Sequence, residues 1–166
     1  MRDLTPKPAE WIDRAPVKFR ASREIAATPE EVWSALCDHE RWPVWFSALS
    51  GAGATGGEGL GSTRFVMVGK DRIDETFVIW DEPRSWGFTV DRAEGPIGRF
   101  GASLNERVDI QVLSNDRVRV TYLMGFDPRP RTRFVFRLIK RQMTKNLRSA
   151  LAGLERFIES ERAITS

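Results

Sequence analysis

Three charged side chains stand where the surrounding pattern calls for apolar ones. Along Ala102 to Val112 the alternating apolar positions are Ala102, Leu104, Val108, Ile110 and Val112, and Glu106 falls in the same phase. Glu75 interrupts the apolar phase of Ile73 to Ile79 in the same way, and Arg23 that of Val17 to Ile25. Burying a lone charge costs several kcal/mol, so each group must be paired, neutralised or wet. One reading is structural: a bulge or register shift returns the side chain to solvent, or Arg and Glu pair across strands. The other is chemical: a carboxylate whose pKa is raised by desolvation can serve as a general acid or base. Tyr122, on the apolar face of the last strand, adds an O–H donor for a ligand or for backbone.

Other chemistry-bearing motifs fall away on inspection. Gly51, Gly53 and Gly56 spell G-x-G-x-x-G, but phosphate binding by that pattern requires a strand before it and a helix after it. Here the order reads helix, loop, strand, so the glycines are expected to form a flexible connection. His39, the only histidine, is expected as an exposed polar cap in a turn between helices. Cys37 falls on an apolar helix face and reads as core. With one Cys and one His, an intrachain disulfide or a Cys/His zinc cluster is not expected, nor is any metal or cofactor. No nucleophile elbow, Walker loop or H-E-x-x-H is present, and no catalytic residue can be assigned.

The elements that position these residues follow from periodicity. Val17 to Ile25 alternates as a half-buried strand. Thr28, Pro29 and Glu31 then form a capping box with proline at the first helical position, opening a helix with Val32, Trp33, Leu36 and Cys37 on one face. A second short helix spans 39–50. Strands follow at 62–69, 72–80, 85–90, 102–113 and 117–126, with a loop at 91–100 and a tight hairpin at Ser114–Asp116. From about residue 132 to 161 one long helix carries Ile139, Met143, Leu147, Leu151, Leu154 and Ile158 as a continuous apolar stripe.

The chain has 166 residues, 41% hydrophobic and 30% charged, which suits one soluble domain. Residues 1–16 read as an extended, proline-interrupted arm laid on the surface by Trp11, and 17–162 as a single domain. The arm lacks the apolar core of a signal peptide, so a cytoplasmic location is expected. Net charge is +3, yet residues 129–148 carry eight basic side chains and no acidic one, leaving about −5 on the rest. Arg137, Arg141, Lys145 and Arg148 run down one side of the last helix. They form a solvated face or a contact for a membrane surface or acidic partner; nucleic acid is not expected.

The residues "TPEEVWSALCDHERWPVWF" (Thr28 to Phe46), "DEPRSWGF" (Asp81 to Phe88) and the terminal "LAGLERFIESE" resemble the START-like helix-grip superfamily, in particular its polyketide cyclase/dehydrase and lipid-transport group. The resemblance spans Val17 to Glu161. It implies an α+β fold: a curved antiparallel sheet wrapped around a long C-terminal helix, with two short helices after the first strand. It further implies an apolar cavity that binds a small hydrophobic molecule, lipid or polyketide-like. The alternatives are a polyketide aromatase/cyclase or dehydratase in the same cavity, and an interaction module using the basic start of the last helix. Trp42, Trp45, Trp86, Phe88 and Phe100 sit on segments that border such a cavity, and Met143, Leu147 and Leu151 face it from the helix. Arg23, Glu75, Glu106 and Tyr122 are the expected polar handles.

Overall fold

The computed structural model describes residues 1–130 and 132–165, without the side chains of 133–140 and 165. Its strands are β1 (Arg2–Asp3), β2 (Val17–Ile25), β3 (Gly51–Gly56), β4 (Thr63–Val68), β5 (Asp71–Asp81), β6 (Ser85–Ala93), β7 (Gly101–Ser114) and β8 (Arg117–Pro128). Its α-helices are α1 (Pro29–Cys37), α2 (Trp42–Trp45), α3 (Gly95–Phe100) and α4 (Arg133–Thr165), with short 3₁₀ turns at Ala9–Arg14 and His39–Arg41. The sheet runs β2-β8-β7-β6-β5-β4-β3, every pair antiparallel.

Alternation decides which face of the sheet is inward. In β8, Val118, Val120, Tyr122, Met124 and Phe126 are all buried, while Arg117 and Arg119 between and before them are exposed. α4, about 50 Å long at 1.5 Å per residue, lies across this face with Leu147, Leu151, Leu154 and Ile158 buried. Its backbone closes on α2 at Gly153, where a Cβ would stand 2.0 Å from the Trp45 carbonyl oxygen. α1 is held at its start by the expected reciprocal cap: Glu31 N–H donates to Thr28 Oγ1 and Thr28 N–H to Glu31 Oε2. This is the helix-grip arrangement.

Three local expectations are corrected. Residues 51–56 are edge strand β3 rather than a flexible connection, because their backbone pairs with β4. Gly53 lies beneath the Phe65 ring, where a Cβ would come within 3.0 Å of it. The turn comes later, with Gly57, Gly59 and Gly61 at φ of 69°, 81° and 81°, which only glycine adopts freely. Residues 91–100 are not a loop: β6 continues to Ala93 and α3 follows. The arm is not extended throughout: Ala9–Arg14 form a 3₁₀ turn, and Leu4 and Ile12 are buried with Trp11 half-buried beside them. β6 and β7 pair only as far as Thr89 and Asn105, and the arm fills the gap beyond. β1 pairs with β6, Leu4 N–H donates to Asp91 O, and Thr5 N–H donates to Ala102 O.

Candidate functional site

Between the sheet and α4 the side chains do not meet. They leave a cavity of about 410 Å³, bounded below by β4 to β8, above by Met143, Asn146 and Leu147 of α4, and at the side by α2 and α3. Val68 is 39% exposed and Asp71 and Glu94 are half-buried, so the chamber reaches the surface at the β4–β5 turn and the start of α3.

The interior wall is apolar except for one cluster, assembled by register. Arg64 of β4 stands opposite Glu75 of β5. Both are buried, and Arg64 Nε donates to Glu75 Oε2 at 2.6 Å. The guanidinium lies 4.0 Å from the Trp42 ring centroid, 4.7 Å from Trp86, 4.8 Å from Phe88 and 5.5 Å from Phe77. Cation–π attraction there replaces part of the lost hydration. Two strands away, the Tyr122 O–H donates to Glu106 Oε2. Burial pushes the Glu106 carboxyl up to about 8, and the neighbouring Glu75 charge adds to this against the opposing pull of Tyr122 and Arg64. Burial also raises Glu75, opposed by Arg64, and holds the Tyr122 hydroxyl well above its ordinary value. The result is a paired Arg–Glu beside a carboxyl that stays largely protonated at neutral pH.

The structure brings Glu75, Phe88, Phe100, Glu106, Tyr122, Met143 and Leu147 together on the cavity wall. It does not bring four other expected residues there. Trp86, 0% exposed, is packed among Trp42, Phe77, Phe88 and His39. Trp45 is buried against Trp42 and Phe46, and Leu151 is buried in the packing of α4. Arg23 reaches outward, donating to Glu155 of α4 at 2.6 Å, because β2 is the edge strand along which that helix runs.

His39 is no exposed cap. It is half-buried and stacked on Phe77, and burial together with the Arg64 charge lowers its pKa to about 4. Cys37 is half-buried, its thiol pushed up to about 12 by desolvation, which leaves it unreactive. Arg141, Lys145 and Arg148 are exposed on α4; the side chain of Arg137 lies outside the described residues. Arg64 was missed by sequence reasoning. Its strand carries apolar residues in both phases (Val66 and Val68, Phe65 and Met67), so alternation alone does not reveal which phase faces inward.

Comparison with known proteins decides the family. Residues 16–159 match the family described as polyketide cyclase / dehydrase and lipid transport. The chain belongs to this family. An uncharacterized protein of Mycobacterium tuberculosis is 30% identical over 149 residues, covering 83% of this chain and 86% of that protein. In three dimensions, a START superfamily protein from Mycobacterium smegmatis superposes with a TM-score of 0.71 at 15% identity, covering 86% of this chain and 97% of the other. Norcoclaurine synthase from Thalictrum flavum, solved with dopamine and hydroxybenzaldehyde, gives 0.67 at 15% identity over 95% of each chain. At these identities the likeness to the two solved structures is one of fold. Among the described residues no helix is long and apolar enough to cross a membrane.

Proposed function

We propose that the protein binds a small, mainly apolar molecule in the chamber between sheet and α4, as carrier or sensor. One observation carries this: the sheet and helix enclose about 410 Å³ of largely apolar space, within the range of small-molecule sites. A folding core would close such a space, since unfilled volume costs packing energy. Native mass spectrometry of the purified protein tests for a retained guest. Titration with a neutral apolar fluorophore such as Nile red tests for a site, with saturable one-to-one binding expected. Met143→Trp, which puts an indole into the chamber from α4, is expected to abolish that binding and leave the far-ultraviolet circular dichroism unchanged. No saturable binding to the wild type, or binding indifferent to Met143→Trp, would refute the reading.

A second reading, a cyclase or dehydratase, draws on the Glu106–Tyr122 pair. A carboxyl with a pKa of about 8 beside a phenol can hand a proton to a substrate oxygen at neutral pH. Turnover lost in Glu106→Gln with binding retained distinguishes it from carriage.

A further inference from the structure

We propose that the chamber selects an uncharged ligand carrying a carbonyl or hydroxyl oxygen, which is presented to the Glu106–Tyr122 pair, and that it rejects carboxylate and phosphate ligands. The inference rests on the ligand-binding reading above and narrows it by charge.

Charge at the wall is one-sided. Among the described residues lining the chamber, Arg64 is the one base, against the acids Asp71, Glu75, Glu94 and Glu106. Arg64 is already committed. Its Nε is bonded to Glu75 and its guanidinium lies against the rings of Trp42, Trp86 and Phe88, while its Nη1 is fully buried without a hydrogen-bond partner of its own. Asp71 and Glu94 stand at the mouth. An anion would therefore pass two acids on entry and, among the described residues, meet as its one cation a guanidinium already paired with Glu75. The exposed bases Arg141, Lys145 and Arg148 of α4 do not line the chamber.

A cationic ligand fares poorly for a different reason. Arg64 already lies against two of the rings that line the chamber, Trp42 and Phe88, and a second cation would share the chamber with that charge.

An uncharged oxygen fits the donor count. A protonated carboxyl and a phenol hold two O–H groups between them. One is used in the mutual bond between Tyr122 and Glu106, and one remains for a ligand acceptor. The groups facing Glu106 keep its proton in place: Glu75 from β5 disfavours ionisation, while Arg64 from β4 and Tyr122 from β8 oppose this more weakly than burial. Its register partners Phe88 of β6 and Met124 of β8 carry no charge, and neither do Met143 and Asn146 of α4.

Three probes with one ring system separate the cases: 2-acetonaphthone, 2-naphthoate and 2-naphthylmethylammonium, titrated by calorimetry at pH 6.5 and 9.5. The ketone is expected to bind at least about tenfold tighter than either ion at pH 6.5. Its affinity should fall by pH 9.5, where Glu106 has ionised. In Glu106→Gln, whose amide keeps a donor at every pH, the ketone should bind with no such fall. Naphthoate equal to or tighter than the ketone, the ammonium tightest, or a wild-type ketone affinity flat across pH would each overturn the selection. Failure of all three probes to bind would instead overturn the ligand-binding reading beneath it.

Discussion

Replacing Glu106 by Gln should make the protein more stable, and increasingly so as pH rises. In the folded chain the carboxyl titrates at about 8, against an ordinary 4.5. A folded-state pKa above the unfolded one contributes stability that is complete below 4.5 and is lost as pH climbs through 8. Each unit is worth about 1.4 kcal/mol. Gln mimics the protonated acid, still accepts from Tyr122 through its amide oxygen, and has nothing to ionise. The variant should therefore exceed wild type by under about 1 kcal/mol at pH 5, about 3 kcal/mol at pH 7 and about 5 kcal/mol at pH 9. Urea unfolding at the three pH values, with unchanged denaturant slopes, measures the gap directly. A gap that stays constant with pH, or a variant less stable than wild type at pH 9, would show that burial does not hold the Glu106 carboxyl protonated against the pull of Arg64. The acid–base reading of the site would fall with it.

Arg64→Met strands Glu75 in the interior without its cation, so a loss of roughly 3–5 kcal/mol is expected. The loss should grow with pH as Glu75 resists ionisation, and Arg64→Met/Glu75→Gln should recover most of it in thermal melts. Gly153→Ala places a methyl where the Trp45 carbonyl stands 2.0 Å away; an overpacking cost of about 1–3 kcal/mol follows. It should appear as a lowered Tm with altered tryptophan fluorescence from the α2 contact, and an unchanged Tm would show that α4 does not press on α2 there.

Much of the fold was legible because its signals are local. Thr28, Pro29 and Glu31 start α1 wherever that helix docks, since the cap bonds lie within one turn. The alternation of Val17 to Ile25 and of Val118 to Phe126 marks strands with one wet face. Legibility stopped where a residue's partner lies far along the chain. Gly51 to Gly56 has no side-chain pattern, and only pairing with β4 makes it a strand. The arm's Leu4 is core only because β6 and β7 part beyond Thr89.

For the site, period-two reading identified Glu75 and Glu106 as charges on an inward face, and that was a property of the sequence alone. Which inward positions meet packed rings and which meet open space was decided by tertiary structure. Trp86 and Phe88 sit two residues apart in one strand, in the same phase, yet Phe88 fronts the cavity and Trp86 is enclosed by neighbours. Likewise Arg23 and Glu75 broke the same rule in their strands, but an edge strand let one reach Glu155 outside, while a central strand left the other only Arg64. Local sequence sets the direction in which a side chain points. What it meets depends on strands and helices dozens of residues distant, and the chemistry of a buried charge is set by that encounter.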